Sequence, residues 1–335
     1  MSSLTEVAEA AGVSVSTASR VLTGSKHPIA AATRAKVLAA AEQLGYSPSA
    51  LAQALVSRRS RLLGVLVSDI VNPYFSVIAR GIDDMASRSG YVTMLSHVDR
   101  RTSTEIDRLR AMRDYSAAGV IIAGSGFVDD PEATKLAEAV AQAREQGVNM
   151  VCLAPRDLGC PTISADATAA AHEITDHLIA LGHRRIAFIE GPSGMIASQQ
   201  RRQGFDDCMK AAGLSDLARH QPGGFDFEAG HAATMRLIAR QPLPEAILAA
   251  NDEAAVGALN ALRQAGIDTP GEVSVAGIND LPVAQFVGLT TVSLPLYEMG
   301  AMAARRIIEG ADGGEKTTIL SHRLIPRDTT ARRPS

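Results

Sequence analysis

Only three cysteines occur in the 335 residues, Cys152, Cys160 and Cys208, an odd and scattered set. That excludes the disulfide framework of small secreted domains and fits reduced core or loop thiols. No stretch approaches the ~20 apolar residues of a membrane span. The N-terminus lacks the apolar core of a signal peptide. The expectation is a cytoplasmic protein with no membrane partner. Low-complexity tracts are missing, and so are catalytic motifs. There is no G-x-S-x-G: Ala123 stands two before Ser125, and Met195 two after Ser193. There is no C-x-x-C and no Walker lysine. His172-Glu173 with His177 misses H-E-x-x-H. A separation of five is about 140° around a helix, so the pair cannot share a zinc face. No catalytic residue, metal or cofactor is therefore expected, and scattered Asp and His read as caps and surface groups.

What is present is ample for a large core: 46% of residues are hydrophobic. The length suits two to three domains at about 100–200 residues each. The net charge of −3 argues by itself against a nucleic-acid partner, but its distribution reverses that. Residues 1–61 carry seven Lys/Arg and three Glu, a net of +4, leaving −7 on the remainder. A basic head on an acidic body suits a protein that sets one end on phosphates. For Arg58-Arg59 alone, a solvated charged face is the better reading.

The head has a compact grammar. Leu4, Val7, Ala8 and Ala11 fall at helical spacing. Ser3 with Glu6 forms a capping box, and Gly12 can end the helix in a left-handed turn. Ser14 can cap a second helix whose inner face is Ala18, Val21 and Leu22. Its outer face carries Val15, Ser16, Thr17 and Arg20. A third helix over 31–44 runs from Thr33 through Val37, Leu38 and Ala41 to Leu44. Two short helices on a tight glycine turn, the second with a polar outer face, make a DNA-reading arrangement.

From Leu62 the pattern changes to short apolar runs: 62–67, 92–95, 120–123 and 150–153, then 186–189, 246–249 and 273–278. Amphipathic segments separate them, near 75–89, 103–115, 131–146, 167–181, 197–213, 228–240, 252–265 and 296–309. That is βα repetition in two series: two doubly wound parallel-sheet lobes with ligand between them at the C-terminal strand ends. The polar tail from Arg327 is expected to fray.

The string V-x-x-A-G-V-S-x-x-T-x-S-R-V-L, the later L-G-Y-S-P-S-A-L-A-x-x-L, and the N-P-Y-F, A-N-D and L-T-T-V segments occur here in order. In these motifs the chain resembles the lactose-repressor/galactose-repressor (LacI/GalR) family of bacterial transcription regulators over nearly its whole length. The resemblance implies an N-terminal all-α helix-turn-helix domain and a periplasmic-binding-protein-like α/β body. The boundaries expected are 1–47 for the DNA-binding domain, 48–61 for the hinge helix and linker, and 62–335 for effector binding and dimerisation.

The linker has two readings. Ser49 after Pro48 can cap a helix, and 50–55 has good helix propensity, but two turns are too short to stand alone in water. A plain linker would look much the same. The resemblance favours a hinge helix that forms on DNA, with Leu51, Ala52 and Leu55 retained and Leu55 wedging into a minor-groove base step. For base reading the resemblance points to Val15, Ser16 and Arg20. Arg is the bidentate partner for guanine, whereas Val can only touch a thymine methyl or exclude bulk. Ser14, Thr17 and Ser19 suit phosphate contacts or capping. Arg20 could also be a phosphate contact.

In the body, Asn72-Pro73 serves a turn and cap on its own account. The resemblance adds that Tyr74 or Phe75 lines the effector site, with Ser125 at a strand end. Arg201 matches the family's effector-binding arginine, Phe225 a stacking aromatic, and Asn251-Asp252 a pair with one ligand-facing member and one cap. Arg202 reads as a surface residue. Two family carboxylates are missing: Ala154 and Asn279 stand where many members carry Asp, and Asp280 follows the second. The cleft should therefore be more positive than in a neutral-sugar repressor.

These readings combine into a ligand-responsive, DNA-binding repressor. It would act as a homodimer on a pseudo-palindromic double-stranded operator. A sugar, sugar acid or sugar phosphate would be the effector, and the protein would be nucleoid-associated when bound. No leucine-heptad tail follows residue 330, so the resemblance offers no tetramerisation element. A transport binding protein would share the two lobes, but it needs a signal peptide and has no use for residues 1–61. A sugar-processing enzyme needs a paired-carboxylate or metal constellation that is not found.

Overall fold

The computed structural model describes residues 2–23, 27–46, 60–310 and 316–333. The chain forms two compact units: a head within residues 1–62, and a body comprising residues 63–115 and 119–335.

The head begins with α1 (Leu4–Ala10). The Glu6 N–H donates to Ser3 Oγ at 3.2 Å and the Ser3 N–H to Glu6 Oε2 at 2.7 Å, closing the expected capping box. Gly12 takes φ +64°, a conformation that costs glycine little. Then α2 (Val15–Leu22) starts with Ser14 Oγ accepting from the Thr17 N–H at 3.2 Å. The third helix, α3 (Ala31–Gln43), closes the core. That core is Val7, Ala8, Ala11, Ala18, Val21, Val37, Ala40 and Ala41, with Leu4, Val13, Leu22, Ile29 and Tyr46 packed against it. Leu38 and Leu44 lie on the outer side, 50% and 37% exposed, and Ala40 takes the inward place. The helices approach closely enough that alanine fills the space.

In the body the order is β1 (Leu62–Val67), α4 (Pro73–Arg88), β2 (Val92–His97), α5 (Thr102–Asp114), β3 (Gly119–Ile122), α6 (Ala133–Glu145), β4 (Asn149–Cys152) and β5 (Thr162–Ala165). There follow α7 (Ala167–Ala180), β6 (Ile186–Ile189), α8 (Ile196–Ala211), β7 (Arg219–Gln221), α9 (Phe227–Ile238), β8 (Ala246–Ala249) and α10 (Asp252–Gln264). The last are β9 (Ser274–Asn279), α11 (Pro282–Phe286), β10 (Thr290–Ser293), α12 (Leu296–Glu309), β11 (Thr317–Leu320) and β12 (Arg323–Ile325). One sheet has strand order β11-β5-β4-β3-β1-β2 and the other β12-β10-β9-β8-β6-β7. The pairings β1–β3, β3–β4, β4–β5, β5–β11, β6–β7, β6–β8, β8–β9 and β9–β10 are parallel, and β10–β12 is antiparallel. Central strands such as β3, β6 and β8 are buried along their whole length because helices cover both sheet faces.

The chain passes between the sheets three times, after β5, after β10 and after β11. Helix pairs α4–α12, α7–α8 and α9–α10 pack tightly. A glycine stands at each crossing. A Cβ on Gly81 would run into the Tyr297 carbonyl, one on Gly204 into that of Thr168, and one on Gly230 into that of Ala254.

Through Arg333 the tail is held and does not fray as expected. Arg327 donates to the Leu289 carbonyl at 2.8 Å and pairs with Asp280 at 2.6 Å. Thr329 is buried and donates to the Val275 carbonyl at 2.7 Å, and the Arg333 N–H reaches the Leu181 carbonyl at 2.8 Å. Backbone donors and acceptors left by β9, β10 and α7 hold it, a partner set that local polarity does not reveal. The three cysteines carry free thiols, with Cys152 Sγ 3.0 Å from Cys160 Sγ.

Candidate functional site

A cleft opens between the two lobes of the body. From the first lobe come Ser68, Asn72, Tyr74, Phe75, Arg100, Ala123, Ser125 and Ala154. From the second come Met195, Ala197, Arg201, Phe225, Asn251 and Asn279. Most sit at the C-terminal ends of strands or in the turns that follow, where parallel sheets place ligands, and Tyr74, Phe75, Ala197 and Arg201 on the first two turns of α4 and α8. All seven cleft residues expected from the sequence line it: Tyr74, Phe75, Ser125, Arg201, Phe225, Asn251 and Asn279.

Arg201, on the second turn of α8, is only 5% exposed. Its guanidinium donates to the Ala250 carbonyl and, at 3.0 Å, to Asn279 Oδ1. Its Cζ lies 5.5 Å from the Phe225 ring centroid, a cation–π placement. Its Nε is buried without a partner. Burial pulls the Arg201 pKa below its ordinary value, opposed by Tyr74 and Asp252. The same burial raises the Tyr74 phenol, opposed by Arg201. No carboxylate touches this guanidinium among the described residues.

The surrounding groups are held by their neighbours. Asn72 Oδ1 accepts from the Tyr74 N–H at 2.9 Å, capping α4. Asn251 both caps α10, accepting from the Ala254 N–H at 3.0 Å, and donates to the Phe225 carbonyl at 2.9 Å. Capping and cleft lining thus fall on one residue, not on the two of the pair. Its neighbour Asp252 has no exposed surface and takes neither role of the expected pair, ligand-facing or cap. It accepts from the Leu281 N–H at 2.7 Å and the Thr291 hydroxyl at 2.6 Å, and burial pushes it up to about 6. These bonds hold the turn that carries Asn279, whose φ of +130° is unusual for a residue with a side chain. Asp280 faces Arg327 instead. Arg202 pairs with Glu190 and Asp206 and stays outside the cleft, as expected.

Across the cleft, Ser125 Oγ accepts from the Ala197 N–H at 3.1 Å. The Ile196 N–H donates to Gly126 at 3.0 Å and the Val128 N–H to Gly194 at 2.8 Å, so backbone bonds join the lobes beside the site. Arg100, which sequence reasoning missed, lines the cleft and pairs with Asp69 at 2.9 Å. It gets there through a left-handed turn at Asp99 and Arg100, both φ +53°, which no motif announces. Also missed was the bidentate pair of Arg156 with Glu105, at 2.7 and 3.0 Å, buried just beyond Ala154. Glu253 stays outside the lining. Burial and the nearby Asp226, Asp69, Asp252 and Glu228 push it up to about 7. Glu173 and His177 of the histidine near miss bond His322 and Thr330, and no metal-binding group of His, Cys, Asp or Glu occurs among the described residues.

In the head, Ser14, Val15, Ser16 and Arg20 are exposed, and Thr17 and Ser19 are half-buried. Ser14 Oγ also lies 2.9 Å from the hydroxyls of Ser16 and Thr17, a hydroxyl cluster at the N-terminus of α2. Arg20 has no ion pair among the described residues. The hinge candidates Ala52 and Leu55 lie outside the described residues.

A family model of bacterial regulatory proteins, lacI family, matches residues 3–49. A second, of periplasmic binding proteins and the sugar-binding domain of the LacI family, matches residues 60–328. The transcriptional regulator MalR of Streptomyces coelicolor is 35% identical over 346 residues, covering 99% of this chain and 97% of its own. The ribose operon repressor of Halalkalibacterium halodurans is 30% identical over 336 residues, covering 98% and 97%. The crystal structure of a lac repressor dimer bound to operator and the anti-inducer ONPF matches with a TM-score of 0.88 at 27% identity, covering 98% and 99%.

Proposed function

The chain belongs to the lacI family of bacterial regulatory proteins, and we propose that it is a ligand-responsive, DNA-binding transcriptional repressor. It acts as a homodimer, on DNA in the cytoplasm. Residues 1–47 bind DNA, 48–61 are the hinge, and 62–335 bind the effector and dimerise. In the head, Val15, Ser16 and Arg20 read base edges in the major groove, and Ser14, Thr17 and Ser19 serve phosphates. Ala52 and Leu55 enter the minor groove at the centre of the site. In the body a small sugar-like molecule sits between the lobes on Arg201, Asn251 and Asn279, flanked by Tyr74, Phe75, Ser125 and Phe225. Its role is regulatory and not enzymatic.

One observation carries this reading. A single chain joins an exposed helix-turn-helix face to a two-lobed body whose expected ligand residues all line one interlobe cleft. The mechanism is linkage: an effector that prefers one relative angle of the lobes biases whether the two hinges of a dimer can meet on DNA.

Selection of double-stranded DNA from a random library tests it. The intact chain should recover a pseudo-palindrome, and a chain lacking residues 1–60 should recover nothing. Arg20→Ala should relax one position in each half-site, at a cost of roughly 1–3 kcal/mol there. A uniform loss across all sequences would reduce Arg20 to a phosphate contact. Equal recovery by the truncated chain would end the reading.

A further inference from the structure

Resting on the effector-binding reading of the cleft, we infer that its ligand is a small hydroxylated carboxylate, a sugar acid, and not a neutral sugar. Arg201 is 5% exposed and meets only uncharged acceptors: the Ala250 carbonyl, Asn279 Oδ1 and the Phe225 face. A guanidinium has five N–H donors, and these bonds use two. Each nearby carboxylate is engaged elsewhere: Asp252 by Leu281 and Thr291, Asp280 by Arg327, and Asp69 by Arg100. None of them lines the cleft.

A buried cation without a counter-charge is costly, and a ligand carboxylate relieves that cost through charge-assisted hydrogen bonds. The count of charges also selects among anions. Arg100 is already neutralised by Asp69, and Asp252 acts on Arg201 only through space, without touching it or lining the cleft, so the open guanidinium donors match a single carboxylate better than a phosphate dianion. The rest of the ligand meets Ser68, Asn72 and Asn251, which can serve hydroxyl groups, and Tyr74 and Phe225, which can cover apolar ring faces.

Two measurements on the intact chain test this. The first is a thermal-shift panel of aldonates and uronates, each beside its parent aldose, with sugar phosphates as a third arm. At least one acid should raise Tm while its parent aldose does not. The proposal is overturned if an aldose matches its acid, if only phosphates act, or if nothing in the panel shifts Tm. The second is calorimetry with the best acid on wild type and Asn279→Asp. The new carboxylate should neutralise Arg201 and weaken acid binding about tenfold or more. The ligand-free Asn279→Asp protein should melt no lower than wild type, since the cation gains a partner. Tighter acid binding, or a clear drop in Tm, would contradict an uncompensated Arg201. DNA selection by the same preparation reads the regulator role separately, so loss of the acid class leaves that reading standing.

Discussion

Asp252 shows at the residue scale how position can invert a side chain's apparent character. It stands beside Asn251 in an A-N-D motif, read as a pair with one ligand-facing member and one cap. Packing instead removes it from water, and Thr291 and Leu281 become its partners. The motif thus reveals that a functional pair is present but not how its roles divide. Arg201 and Asn279 were legible for another reason: Arg201, three residues before Gly204-Phe205, matches the family's effector-binding arginine, and Asn279 stands where many members carry Asp. The burial of Asp252 has a measurable sign. Its folded pKa of about 6 lies above the ordinary value of 3.8. The folded state therefore holds its proton more tightly than the unfolded chain, and stability falls as pH rises from about 4 through 6. Asp252→Asn lacks this titration. The Tm advantage of wild type over the variant should be larger at pH 5 than at pH 8. A gap independent of pH would show that the carboxylate titrates normally.

Among the elements, the apolar strands and the helices were readable because apolar runs, periodicity and caps agree with the fold. The strands β5, β7, β10, β11 and β12 were not, since most are polar or lie at an edge. Their identity comes from the sheet they join. Helix contacts follow the same rule. Sequence places α4 and α12 far apart, yet Gly81 meets the Tyr297 carbonyl and Gly300 the Ile78 carbonyl, so the two backbones nearly touch. Gly81→Val must force them apart and should cost about 1–3 kcal/mol or more by chemical denaturation. Arg80→Ala, on the exposed side of the same helix, should change stability by less than about 0.5 kcal/mol. Equal effects at the two positions would mean that the crossing is loose.

For the whole molecule, the order of head and body was legible from the charge reversal near residue 60 and from the family motifs together. What the chain cannot announce locally is the coupling. Three chain crossings and the bonds from 125–128 to 194–197 connect the lobes beside Arg201. A ligand that bridges the lobes therefore has differential contacts with their relative positions, which is what linkage to DNA requires. The most direct test is fluorescence anisotropy of the intact chain on its selected pseudo-palindrome, with and without a saturating acid ligand found in the panel. The account predicts that the ligand shifts DNA affinity by at least about fivefold, equivalent to about 1 kcal/mol of coupling. It also predicts that Arg201→Ala abolishes the shift while still binding DNA. A ligand that saturates the cleft and leaves the DNA affinity unchanged would contradict it.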